Sequence, residues 1–443
     1  MATTQEYINQ LKIDKQNLVS KLNEMGVEAN NSETFTSLVP KISTIVTSPV
    51  LQNKSINITE NGTQNIEADE GYDGLSIVNV TTNVPSSGET PEKGIVINEW
   101  NSSGYPTKIN VLGIDTIPYY YFYCYYLGSV TVNGYKHQGS WSRLTDVILA
   151  NSVKILQSCA FQNCINLTNI NLNNVNHISS SCFNNCTNLS QISNLSNVVK
   201  IGSSNHKSST DGTAFKDCKN LGFISLPSDC QIQGASNFAG CTNLNMNNLP
   251  AWEEIPNYTF QNCENLALTN LPNTLTSIGQ YAFQNCSSLA LTNLPDSVTE
   301  LGQASFLGCS NITIKKIPDL VTEIAQYTFM NCSSITQISM NNVEEISAGT
   351  NTSPFANTGL KAVWIGSAIS GDRLSRYAFR NANSLEKMFI NLPRAIVEGF
   401  NYYQYAFMND TTKTGIIICN DDEDFLTKEE FDAIDWSTYT EGE

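Results

Sequence analysis

Positive charge is scarce in this chain: 24 Lys and Arg face 41 Asp and Glu over 443 residues, a formal net charge of −17. Nucleic acid and anionic membrane surfaces are polyanions gripped by Lys and Arg, so neither is an expected partner. Histidine is scarcer still. His137, His177 and His206 stand apart from one another and outside any nucleophile, zinc or phosphate-loop motif, so each reads as a surface or corner residue. An enzyme should show reactive groups at recognisable spacing; with none found, no catalytic residue, cofactor or metal site is assigned. Glu253-Glu254 and Glu344-Glu345 are carboxylate pairs read as lying in loops, where adjacent side chains point apart, and a glycosidase reading is weak. No apolar run approaches the ~20 residues that cross a bilayer, so no membrane insertion is expected. Residues 1–11 are too polar for a signal peptide, which makes a cytosolic product the expectation.

Charged residues reach only 15% against 40% hydrophobic, so a core can form but neutral polar groups must dress the surface. Asn, Ser and Thr do so, which suits work outside a cell. The length favours several domains or one long repeat array. Thirteen cysteines would suggest disulfides in a secreted protein, but the count is odd and the spacing regular.

The spacing comes from a repeat. Phe161/Cys164, Phe183/Cys186, Phe215/Cys218, Phe238/Cys241, Phe260/Cys263, Phe283/Cys286, Phe306/Cys309 and Phe329/Cys332 recur mostly every 22 or 23 residues. Phe355, Phe379 and Phe407 keep the Phe without the Cys, and Ile117 to Phe122 and Cys124 form a degenerate first copy. A typical unit has apolar anchors at Leu266, Leu271, Leu275, Ile278 and Phe283. A unit of this size cannot bury its apolar edge alone, so the expected fold is mainly β with short helical turns, a solenoid of stacked rungs. Leu167 to Leu172 and Leu221 to Leu226 should form short strands that pair in parallel with the next rung, about 4.8 Å away, giving a rod of about 50 Å. Phe, Leu and Cys then line up as buried ladders, the Cys acting as a small hydrophobe. The corner residues Asn166, Asn188, Asn220, Asn243, Asn265, Ser288, Asn311 and Ser334 are read as satisfying backbone groups.

The pattern resembles the BspA-type leucine-rich repeat, with Ile278-Gly279, Ala282-Phe283 and Cys286 matching its consensus and the likeness running over about 117–419. Two departures stand out. Between Leu244 and Ile317 the apolar residue shifts one place, to Met246, Leu268, Leu291 and Ile314, and about ten residues are inserted between Gly202 and Thr213.

Ahead of the repeats, Ile8, Leu11, Leu18, Leu22 and Met25 make an a/d stripe ended by Gly26. This helix is expected either to self-associate, with a trimer favoured, or to dock on Phe35, Leu38 and Ile42. After Pro49 the period becomes two, with an Asn61-Gly62 turn, which reads as a small β unit. The stretch 94–112 reads as a strand pair that caps the solenoid. The expected division is 1–46 helical oligomerisation or attachment segment, 47–92 small β unit and linker, 93–150 cap and degenerate first repeat, 151–420 solenoid, and 421–443 acidic tail or cap. That last segment holds ten acidic residues and one Lys, without the alternation or Gly of a calcium loop.

The stretches KQNLVSKLNEMGV, FTSLVPKI and ITENGTQNIEADEGYDGLSIVNVTTNV resemble segments near the N-termini of tail, baseplate and fibre proteins of phages of Gram-positive bacteria. That resemblance implies a location on a virion, with other virion proteins contacted through the N-terminal region. A rigid repetitive face suits extended partners, a host-surface glycan or protein. Exposed aromatics would grip them, and three groups are candidates: Tyr119, Tyr120, Tyr121, Tyr123, Tyr125 and Tyr126; Trp364 and Phe389 in an outward strand slot; and Tyr402, Tyr403 and Tyr405. The alternative is that these fill the ends of the core or a subunit interface. Three functions stay open: a phage adhesin for host attachment, an architectural virion protein, and a bacterial BspA-like surface adhesin.

Overall fold

A computed structural model describes residues 51–56, 74–80, 94–101, 105–118, 121–122, 129–132, 135–138, 141–202, 212–349, 351–370, 373–375, 377–398 and 416–438. It divides into two units, 1–90 and 91–443. The N-terminal a/d stripe, with Ile8, Leu11, Leu18, Leu22 and Met25, lies outside the described residues, as do Asn61-Gly62 and Phe407. In the first unit, strands Leu51–Ile56 and Gly74–Val80 pair in parallel. A tight hairpin joins antiparallel strands only, so these two strands are not the arms of a two-residue hairpin.

The second unit is the expected solenoid. The strand pair Gly94–Trp100 and Pro106–Leu112 is antiparallel, and its inner member pairs in parallel with Asp146–Leu149. Asn169–Asn171 and Gln191–Ser193 follow in the same sheet. This wide ribbon resumes at Gln337–Met340, Ala362–Ile365, Lys387–Ile390 and Ile416–Cys419, again all parallel. Between the two sheets it is reduced to isolated bridges at Phe223↔Asn245 and Lys316↔Ser339. The cause is the shifted apolar residue. Leu266 and Leu268, two apart, both point inward and are fully buried. The rungs there share too few backbone bonds for a ladder, such as Ala290 N–H to Leu268 O at 2.9 Å.

A second, narrow ribbon was not anticipated. Thr116–Ile117, Ile155–Leu156, His177–Ile178, Lys200–Ile201 and Gln231–Ile232 form one parallel sheet, and Glu254–Ile255, Ser277–Ile278 and Glu300–Leu301 another. Glu323–Ile324 and Glu345–Ile346 make a third. Glu254 and Glu345 therefore head strands instead of lying in loops. Gly279, just after one of these strands, is close-packed: a Cβ there would lie 2.6 Å from the Asn257 backbone nitrogen.

The third side of each rung is the Phe corner. Phe122, Phe161, Phe183, Phe215, Phe238, Phe260, Phe283, Phe306, Phe329, Phe355 and Phe379 stack ring on ring at 4.8 to 5.9 Å. Each is buried, and burial of such a ring contributes about 1.5–3 kcal/mol. From Phe161 to Phe329 the residues two before and two after each Phe adopt positive φ, as Tyr281 (54°) and Asn285 (59°) do around Phe283. The turn they create aims the Tyr281, Phe283 and Asn285 N–H groups at the carbonyls of Gln303, Ser305 and Leu307 at 2.7–2.9 Å. Asn tolerates the left-handed region better than most residues, and Asn285 Nδ2 also donates to Asn262 Oδ1 at 2.8 Å. The corner residues Asn220 and Asn265 likewise donate to Asn188 and Asn243 one rung back, a side-chain ladder where backbone contacts were expected.

The cysteines are more than small hydrophobes. Cys164, Cys186, Cys218, Cys241, Cys263, Cys286, Cys309 and Cys332 each donate Sγ–H to the Phe carbonyl of the preceding rung at 2.9–3.1 Å. They are buried and unbridged. Burial pushes the thiols of Cys263, Cys286 and Cys332 well above the ordinary thiol range. Thiolate is the reactive form, so maleimide labelling read by mass spectrometry should leave these eight unmodified in native protein and modify all of them in denaturant. Fast native labelling of Cys286 would place it outside the core.

Candidate functional site

The outward wall of the wide ribbon is the candidate site. Strand side chains alternate, so in Ala362–Ile365 Val363 and Ile365 enter the core while Ala362 and Trp364 point out; in Lys387–Ile390, Phe389 points out. The outward slot expected for Trp364 and Phe389 is therefore theirs. Their availability is not: they are only 3% and 2% exposed. The end of the chain covers them. Helix Lys428–Ala433 and the turn after it place Phe431 and Trp436 on this wall, in a second small core with Ile418. Phe389 lies 5.7 Å from the Phe431 ring and 5.8 Å from that of Trp436. Trp364 Nε1 donates to Leu426 O at 3.1 Å, and Lys361 Nζ to Ser437 O at 3.0 Å. These aromatics fill a packed end, the alternative left open above.

The helix has a local cause. Thr427 is its N-cap and Glu430 completes a capping box, with Thr427 N–H donating to Glu430 Oε2 at 2.9 Å. A Thr-x-x-Glu signature at 427–430 could have revealed it; the run of acidic residues drew attention instead. Acidic charge helps to seat the segment. Asp422 pairs with Arg394, whose Nε donates at 3.1 Å, and this bond together with the Cys419 N–H holds the Asp422 carboxyl low. Bonds from Ser437, reinforced by Lys315 and Lys361, hold Asp435 low, and Thr427 does the same for Glu430. A carboxyl depressed in the folded state stabilises it at neutral pH, and that contribution is lost as pH falls through the ordinary carboxylate range towards the folded value. Below about pH 4 the segment should loosen first, seen as red-shifted Trp emission while the far-ultraviolet β signal persists. Simultaneous loss of both signals would contradict this.

Of the first aromatic group, Tyr121 is 39% exposed and stacks edge-on to buried Phe122. Tyr119, Tyr120, Tyr123, Tyr125 and Tyr126 lie outside the described residues, as do Tyr402, Tyr403 and Tyr405. His177 Nε2 sits 3.1 Å from Gly202 O at a narrow-ribbon corner. Arg373 approaches Glu344 and Glu345 at 3.9 and 3.8 Å. Among the described residues no cluster of His, Cys, Asp and Glu could hold a metal ion, and no helix is long and apolar enough to cross a membrane.

Two aromatic features escaped the sequence reading. Phe223 occupies an outward wide-ribbon slot and is 60% exposed. Tyr258 and Tyr281 stack at 5.1 Å on the outside of the Phe corner.

The model of the BspA type leucine rich repeat region matches residues 135–244 and 253–386 in six copies, more than half of the chain. Among solved structures, a leucine-rich repeat protein from Bacteroides ovatus is 21% identical, covering 73% of this chain and 98% of its own, with a TM-score of 0.46. A leucine rich cell surface protein from Faecalibacterium prausnitzii is 19% identical over 72% of this chain and 98% of its own, with a TM-score of 0.34. The pneumococcal vaccine antigen PcpA is 14% identical over 75% and 98%, with a TM-score of 0.38. No curated protein matches the sequence.

Proposed function

Since the chain belongs to the BspA-type leucine-rich repeat family, we propose that it is a non-enzymatic adhesin that presents its solenoid wall to a host-cell surface, carried on a phage particle by its N-terminal region. The observation that carries the adhesive part is the wall itself. Stacked rungs locked by backbone ladders and the Phe column keep outward side chains at fixed spacing, so binding an extended partner costs little ordering entropy. The phage setting is supported by the N-terminal sequence stretches alone. Contacts to other virion proteins and a trimeric arrangement belong to the same proposal.

A second carrier is equally consistent with the repeat family, a bacterial surface on which the same wall acts as a BspA-like adhesin. Purified protein should bind host cells, with binding competed by cell-wall glycan. Antibody against 150–400 should decorate phage particles in micrographs; decoration of bacterial cells instead would move the adhesin to the bacterium. Absence of cell binding with tight association to a capsid or tail protein would replace adhesion by an architectural role.

A further inference from the structure

Charge is divided between the two ribbons. Along six consecutive rungs the wide-ribbon segments 167–172, 189–195, 221–226, 244–249, 266–271 and 289–294 contain no charged residue at all. Over the same six rungs the narrow ribbon carries Lys200, Glu254 and Glu300 in its outward column. In a chain of −17, a wall this long without charge is a property of one face. What it presents is amides and hydroxyls, which both donate and accept hydrogen bonds.

One large apolar group interrupts it. Phe223 is 60% exposed, held by its backbone bridge to Asn245. The corner bond from Asn220 to Asn188 aligns the two rungs, which puts Gln191 beside Phe223. Asn169 pairs with Gln191 one rung further, and Ser193 is likewise exposed. Further along the same wall, acidic segment 421–438 covers the aromatic slots where Lys315 and Lys361 bring positive charge. The covered stretch is thus matched in charge to its acidic cover, and the open stretch is matched to a neutral one.

We infer that the open stretch around Phe223, Gln191, Asn169 and Ser193 binds an uncharged glycan, a sugar ring stacking on Phe223 while the amides and hydroxyl bond its hydroxyls. This rests on the adhesin reading and names the ligand class and face. A protein partner fits less well, because protein interfaces draw their affinity from clusters of aromatic and Arg anchors, and this stretch offers a single ring. A polyanionic wall polymer finds no cation among the wide-ribbon residues of these rungs, Lys200 being on the separate narrow ribbon.

The test uses the full chain with immobilised neutral oligosaccharides of the cello, chito and rhamno series, a polyglycerolphosphate arm, and whole cells with and without protease treatment. Expected is binding to at least one neutral series and to protease-treated cells, insensitive to salt. F223A should weaken it roughly tenfold, the loss of one aromatic contact, with an unchanged melting midpoint because the ring is exposed. Q191A should weaken it less, and E300Q should leave it unaltered. Cell binding that survives F223A and Q191A overturns this face while the adhesin reading stands. Binding confined to polyglycerolphosphate, or abolished by protease, replaces the ligand class. No binding to cells at all removes the adhesin reading and this inference together.

Discussion

Phe283→Ala should lower the stability of the solenoid by about 3–5 kcal/mol in urea melts, among the largest effects available to a single substitution. The ring is fully buried and stacks at 5.5 Å on both Phe260 and Phe306, so truncation opens a void with aromatic walls on two sides. Backbone bonds along the narrow ribbon and the Phe corner of the rung resist collapse into that void. Solenoid stability is close to a sum of rung and nearest-neighbour terms, so losing two interfaces at mid-array should also broaden the transition. Tyr281→Ala is the control. It removes a ring from the neighbouring outer stack, which is only partly buried, and should cost far less. A loss under about 1 kcal/mol for Phe283→Ala would mean that the ring does not sit inside.

Trp436→Ala should release the end of the chain without unfolding the repeats. Trp436 is 2% exposed and packs at 5.3 Å on Phe431, while its backbone N–H reaches Gln337 Oε1 at 3.3 Å. Truncating a buried Trp costs about 3–5 kcal/mol, which leaves Phe431, the Arg394–Asp422 pair and the bonds from Trp364 and Lys361 to seat a segment with one helix of six residues. Release exposes Trp364 and Phe389. The expected readouts are new binding of a hydrophobic dye, protease cleavage within 424–438, and an unchanged main melting transition. An unaltered cleavage pattern would show that Phe431 and the Arg394–Asp422 pair hold the segment by themselves.

The Phe ladder was legible because one residue per rung, repeated at a constant interval, has to form a column in any stacked array. Its predicted members from Phe161 to Phe379 are in the stack, and the degenerate first copy contributes Phe122. The narrow ribbon was not legible, because strands such as Ser277–Ile278 are two residues long and cannot display an alternating pattern. The thiol bonds were hidden for a different reason: a recurrent Cys marks a buried column, but its acceptor is the Phe carbonyl of another rung.

The candidate site divides in the same way. That Trp364 and Phe389 point outward follows from their place between inward residues. That they are covered depends on Leu426, 62 residues from Trp364 in sequence, and on an acidic run whose Phe431 and Trp436 lie on the wall. Phe223 shows the converse, a hydrophobic residue in an outward slot that none of the described residues covers.

By itself, then, the order of amino acids determined the rung, its period and the side chains that enter the core, since burying an apolar edge at fixed intervals leaves one solution. Tertiary structure alone decided which stretches of the outer wall stay open, because that depends on where the chain's end returns, and no local pattern encodes the return of a segment to a distant surface.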